Sequence, residues 1–326
     1  MDMTDRLDPE LAGPLEAFLS LTGGGFSLHD IPAARQRRNE LAAAQMAKAP
    51  IVEGVTSEDR YVPGPQGAPD VFVRIYQPTD RPPSLPALVW IHGGGYVLGR
   101  VEQDDPLAKH LSKVAACVVA SVEYRLAPEH PHPAPVEDCY AALKWFAVHA
   151  DEFGVDRSRI AIGGASAGGG LAAGLALLTR DRAEVELAYQ LLIYPMIDDR
   201  NVTPASETAP DTFVWSRENN LMGWRAYLGH EPGGADVSPY AAAARATDLS
   251  GLPPAYIPVG DLDLFLDENI DYARRLLAAG VPTELHVYPG GYHGFNGFAP
   301  GADIVQRFNT ERDQALKRAL HRSTLD

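Results

Sequence analysis

Short runs of consecutive apolar residues alternate along the chain with longer amphipathic stretches. VFVRIYQP (71–78), PALVWIHGG (86–94), CVVASVEYR (117–125), RIAIGG (159–164), LAYQLLIYP (187–195), AYIPVG (255–260) and TELHVYPG (283–290) have the length and residue types of strands. DPLAKHLSKVAA (105–116), PAPVEDCYAALKWFAVHADEFG (133–154), AGGGLAAGLALLTR (167–180) and LDENIDYARRLLAAG (266–280) carry helical spacing, and the tail from 303 to 325 does too. Apolar strands separated by helices predict a largely parallel sheet covered on both faces.

Two segments break the alternation. The first 50 residues are helical in pattern, and 197–248 is a polar insertion around WSRENNLMGWRAYLG. An insertion of that length after a strand is expected to be a lid. The expected organisation is therefore a core of 51–196 and 249–326, with 1–50 and 197–248 forming a cap.

With 45% hydrophobic residues the chain can bury a full core. Its net charge of −15 argues against nucleic acid or anionic membrane partners. The acidic start lacks the pattern of a secretory signal, and no apolar run is long enough to span a bilayer. Cys117 and Cys139 make no disulfide framework and read as reduced, buried thiols, so a cytoplasmic location is expected.

The chemistry centres on GGASAGGG (163–170), between a strand and a helix. A phosphate-binding loop would need a lysine where Gly169 stands, and a dinucleotide fingerprint would have to begin earlier than Gly168. Gly164-Ala165-Ser166-Ala167-Gly168 instead fits GxSxG, which lifts a serine hydroxyl off a sharp turn. By itself the motif fits a glycine-rich helix packed on a sheet equally well. Three further features decide. His92-Gly93-Gly94-Gly95 closes a strand and leaves bare amides that, with the N–H of Ala167, can hold an oxyanion. Asp261, Asp263 and Asp267 follow the strand at 255–260 and compete for the role of a triad acid. His293, in PGGYHGFNG, is the histidine just past a strand end downstream of them. His130 and His132 are too hemmed in by prolines to serve as metal ligands. A serine, then an acid, then a histidine is the chain order of the α/β-hydrolases.

The chain resembles the hormone-sensitive-lipase family of esterases over about residues 70–300. The resemblance rests on HGGGYVLG (92–99), VEYRLAPEHPHPAP (122–135), GGASAGG (163–169), DLDLFLDE (261–268) and GYHGF (291–295). It implies an α/β-hydrolase fold, a mostly parallel sheet of roughly eight strands with helices on both faces and a helical cap. It selects Asp263 as the acid, with Ser166 as nucleophile and His293 as base, and no metal or cofactor. Oxyanion donors are expected from Gly93, Gly94 and Gly95, the last two foremost, and from Ala167. Glu123, Arg125 and Glu129 match the family pattern and are expected to brace the oxyanion loop. Tyr96, Phe213, Trp215 and Trp224 are candidates to line an apolar pocket. The implied function is hydrolysis of short- to medium-chain carboxylic esters through an acyl-enzyme, the protein acting on small molecules and able to form a homodimer. The rivals are a deacetylase or amidase on the same triad, a lyase like the related hydroxyisoflavanone dehydratases, and a ligand receptor like the gibberellin receptors. Those receptors lack the histidine found here at 293. Three positions depart from the family pattern: Ala165 stands where Asp or Thr is usual, Leu264 replaces proline and Leu266 replaces arginine.

Overall fold

A computed structural model describes residues 6–47, 51–210 and 213–321. Eight strands form one sheet: β1 (Val55–Val62), β2 (Val71–Pro78), β3 (Leu85–Ile91), β4 (Val118–Glu123), β5 (Val155–Ala165), β6 (Tyr189–Ile193), β7 (Ala255–Gly260) and β8 (Thr283–Tyr288). Their spatial order is β1-β2-β4-β3-β5-β6-β7-β8. β1 and β2 pair antiparallel, as do β2 and β4, and all later pairs are parallel. Seven of the strands coincide with the apolar runs. β1, VTSEDRYV, has no such run because it is an edge strand in which only Val62 is buried, and charge is how an edge is protected.

The helices are α1 (Pro9–Thr22), α2 (Ile31–Met46), α3 (Asp105–Val114), α4 (Ala134–Val148), α5 (Ala167–Arg182), α6 (Pro204–Thr208), α7 (Arg217–Leu228), α8 (Leu266–Ala278) and α9 (Asp303–Leu320). The predicted helix at 133–154 divides into α4 and a 3-10 turn, Ala150–Phe153, stopped by Gly154 in the left-handed region. The predicted tail helix stops at Leu320, and its expected end at 325 lies outside the described residues.

Pleating divides the central strands between two cores. Ala87, Val89 and Ile91 of β3 pack with Leu143 and Phe146 of α4, Leu171 and Leu175 of α5, and Leu276 of α8. Leu88 and Trp90, the alternate residues, pack with Leu111 of α3 and Val305, Phe308 and Leu316 of α9. No helix among the described residues is long and apolar enough to cross a membrane. Cys117 and Cys139 are buried free thiols, and burial pushes the Cys117 thiol up to about 12.

This arrangement brings the C-terminal ends of the parallel strands together at one edge, where ligands bind in open α/β sheets. α1, α2 and the segment around α7 lie over that edge. Only Ala34 of α2 is fully buried, and the helix is held instead by polar contacts from Arg35. Its Nε and Nη2 donate to the carbonyls of Val97 and Ala127, and its guanidinium pairs with Glu129 at 2.7 Å.

Candidate active site

β5 ends at Ala165, α5 begins at Ala167, and the single residue between them is Ser166, at φ 56° and ψ −121°. A non-glycine residue there carries strain of roughly 1–3 kcal/mol, so its surroundings must enforce it. They do so through the backbone. Ser166 N–H donates to Ile193, and its carbonyl accepts from both Met196 and Gly170. The turn tolerates no side chains at its flanks. A Cβ on Gly164 would stand 2.4 Å from the backbone of Gly168, and one on Gly168 would stand 2.1 Å from the Ile91 carbonyl.

Ser166 Oγ lies 2.9 Å from His293 Nε2, and His293 Nδ1 lies 2.8 Å from Asp263 Oδ2. His293 sits on the loop after β8, its ring edge-on to Tyr194 and Phe265 with centroids 4.9 Å away in each case. Asp263 is buried on the turn after β7, and its second oxygen accepts from the N–H of Phe265 at 3.0 Å. A carboxylate with only acceptors fixes Nδ1 as the protonated nitrogen, which leaves Nε2 free to accept from the serine. The three competing aspartates have separate places. Asp261 accepts from Gly290 N–H and pairs with Arg6, which holds the histidine loop, while Asp267 accepts from Ala205 in the insertion. Leu264, where the family has proline, is simply buried in the core.

The HGGG segment leaves β3 and passes beside the serine. His92 is buried, which pushes its pKa down to about 4, so at neutral pH the ring is uncharged. It stacks on Tyr124 at 4.3 Å and its Nδ1 donates to Gly93 O at 3.0 Å. The trans peptide is planar, so fixing that carbonyl turns the N–H of Gly94 the opposite way. The Gly94 carbonyl is likewise held, accepting from Val97 and Leu98. Nothing among the described residues accepts from Gly94 or Gly95 N–H, and Ala167, first residue of α5, has a free N–H by its position. Close approach demands glycine here: a Cβ on Gly93 would lie 2.7 Å from the Ala165 carbonyl, and one on Gly95 would lie 2.3 Å from the Trp215 ring. Behind the loop, Glu123 accepts from Val101 N–H and Glu129 pairs with Arg35. Arg125 is different, forked onto Asp138 of α4.

Ser166, His293 and all three glycines open into a cavity of about 560 Å³. Phe18 and Leu21 of α1, Leu41 and Met46 of α2, and Val214 and Trp215 of the insertion close it from above. Of the four aromatic candidates, only Trp215 lines this cavity. Tyr96 is buried, donates to Met196 O and stacks on Tyr227, Trp224 packs against Tyr96, and Phe213 packs on Tyr292. These three are cap and core packing rather than pocket lining. The sequence reading missed Arg38, Gln103, Asp104, Tyr194 and Asn296, all of which face the cavity. No motif marks them, since four separate segments bring them together. Among the described residues no three His, Cys, Asp or Glu side chains converge as metal ligands would.

The chain is similar to known proteins along most of its length. A family profile described as alpha/beta hydrolase fold matches residues 88–297. The carboxylesterase NlhH of Mycobacterium tuberculosis is 40% identical over 272 residues, 81% of this chain and 83% of its own. The esterase LipI of the same organism is 35% identical over 330 residues, covering 98% of this chain and 97% of its own. Among solved structures, a bacterial heroin esterase superposes with a TM-score of 0.93 at 43% identity, covering 98% of this chain and 99% of that one.

Proposed function

Since the chain belongs to the hormone-sensitive-lipase group of the α/β-hydrolase family, we infer that it is a carboxylic ester hydrolase and that Ser166, His293 and Asp263 are its catalytic triad. The observation that carries this is the unbroken hydrogen-bonded line from Ser166 Oγ through His293 to Asp263, with the serine held on a strained turn.

The mechanism follows from the geometry. Ser166 Oγ attacks the ester carbonyl as His293 Nε2 takes its proton, and Asp263 holds the ring and stabilises the imidazolium. Negative charge develops on the carbonyl oxygen, for which the amides of Gly94, Gly95 and Ala167 are the donors, with Gly93 giving the loop its close approach. His293 then protonates the leaving alcohol. Water enters, loses a proton to His293 and releases the acid from the acyl-enzyme.

Residues 1–50 and 197–248 act as the cap over a core of 51–196 and 249–326, although 1–5, 48–50, 211–212 and 322–326 lie outside the described residues. A cavity of about 560 Å³ closed by Phe18, Leu41 and Trp215 favours small-molecule esters with short to medium acyl chains. Ser166→Ala should abolish turnover of p-nitrophenyl butyrate in a folded protein, and the wild type should lose efficiency on long fatty-acyl esters. Retained turnover in the variant would remove the assignment. The buried free thiols are consistent with a cytoplasmic location. Edge strand β8, where Val287 is exposed, and α8, where Ile270 and Leu277 are exposed, offer surface for a homodimer. Light scattering that gave a 35.2 kDa particle would reject that.

A further inference from the structure

The lining of the cavity beside Ser166 is mostly apolar, but it includes Arg38 of α2, Gln103 and Asp104, the last bonded to Trp90. Arg38 reaches inward from a largely exposed helix. Its Nε donates to Gln103 Oε1 at 2.9 Å, and its guanidinium lies 5.9 Å from the centre of the Phe26 ring. Gln103 is itself fixed, since its Nε2 donates to Asn39 at 2.8 Å. A guanidinium carries five N–H groups. Nothing among the described residues accepts from the two terminal nitrogens of this one.

Asp104 is the counterpart. It occupies the N-cap position of α3, where an aspartate ordinarily accepts from the first turn, yet it makes no such bond. One of its oxygens accepts from Trp90 Nε1 at 2.7 Å, and the other has no partner among the described residues. Burial lowers the pKa of Arg38 in spite of the attraction of Asp104, and burial likewise raises that of Asp104. The two charges therefore feel each other without forming an ion pair. Both keep unused hydrogen-bonding capacity facing the cavity that holds the nucleophile.

A positive and a negative group side by side leave no net charge for an ionic ligand to balance. A carboxylate would satisfy Arg38 and oppose Asp104, and an ammonium group would do the reverse. A group that accepts and donates at once satisfies both. We propose that Arg38 and Asp104 recognise a hydroxyl group on the ester, remote from the scissile bond. Arg38 donates to its oxygen and Asp104 accepts its hydrogen. The apolar side chains that line the rest of the cavity then hold the carbon chain that separates hydroxyl from ester. This inference rests on Ser166 being the nucleophile, as proposed above.

The test is a pair of matched substrate series. In the acyl series, p-nitrophenyl hexanoate is compared with p-nitrophenyl 6-hydroxyhexanoate and with the mono-p-nitrophenyl ester of adipic acid. In the alcohol series, hexyl acetate is compared with 6-hydroxyhexyl acetate by proton release. The expected result is a kcat/KM for the hydroxyl member higher by on the order of tenfold in one series, as a hydrogen bond to a charged group allows. That ratio should fall towards one in Arg38→Leu and in Asp104→Leu. A wild-type ratio at or below one in both series overturns the proposal, whatever the variants do, and so does a preference for the adipate ester. A ratio that survives in Arg38→Leu overturns it as well. Fluorophosphonate labelling of Ser166 in the wild type tests the nucleophile separately. Failure to label would strike the assignment of the nucleophile, whereas labelling with a ratio of one would strike only this inference.

Discussion

The strand-end machinery and the cap above it are built on different principles. Ser166, His293, Asp263 and the HGGG loop are fixed by backbone hydrogen bonds and by contacts that leave no room for a Cβ. α2, which roofs the same cavity, has a single fully buried residue and is held by polar side chains, Arg35 reaching two carbonyls and a carboxylate and Arg38 and Asn39 bonding to Gln103. Burial and obligatory backbone pairing give a segment high local stability, and polar surface contacts give little. The difference matches the proposed tasks, a rigid site for charge stabilisation and a looser roof for admitting and sorting substrates.

The largest expected effect lies in the rigid region. Asp263→Asn offers an N–H to His293 Nδ1 and so selects the wrong tautomer, and kcat should fall by roughly 10⁴ with little change in KM. A drop of only a few-fold in steady-state rate would mean that Asp263 is not the orienting acid. Gly95→Ala strikes the seam between the two regions. Its Cβ would meet the Trp215 ring at 2.3 Å, and the residue has φ 59°. Displacing this amide should lower kcat by roughly 10²-fold, the usual worth of one oxyanion donor. An unchanged kcat would show that the Gly95 amide is not a donor.

The smallest effect belongs to the cap. Glu129→Gln weakens the pair with Arg35, and because Glu129 is about half exposed the cost at pH 7 should stay under about 1 kcal/mol by urea denaturation. The hydrogen bond from Arg35 depresses the Glu129 carboxyl from 4.5 to about 2. The stabilisation is therefore complete above about pH 4.5 and lost as pH falls towards 2, so wild type and variant should converge in acid. A gap that persists at pH 2 would place the effect elsewhere than in the ion pair.

The same contrast explains what could be read from the chain. The central parallel strands were legible because they are buried on both faces, and β8, half-buried at the sheet edge, because its residue types and bounding glycines mark a strand. Ser166, His293 and the glycines were legible because a sharp turn and a close backbone approach leave few residue choices. From its place after a strand Asp263 was readable only as one of three aspartates, and the family resemblance was needed to select it. What separates them is that Asp261 holds Gly290, Asp267 holds Ala205 and Asp263 alone reaches the imidazole. β1 was missed because an exposed edge strand carries no apolar signal. The pocket was the least legible part. An aromatic residue in the insertion looks the same whether it faces the cavity, as Trp215 does, or packs behind the oxyanion loop, as Trp224 does. Arg38 and Asp104 gave no signal because a lone arginine on a polar helix and an aspartate before a helix have ordinary explanations. Ala165, where the family resemblance implies Asp or Thr, lines the cavity, and nothing in the structure explains why it is alanine.

The central claim is that Ser166 is an activated nucleophile. A fluorophosphonate probe followed by peptide mass spectrometry tests it directly. The account predicts a single covalent adduct on Ser166, formed rapidly in the wild type and far more slowly in His293→Ala. An adduct on another residue, or labelling of Ser166 at the same rate without His293, would contradict it.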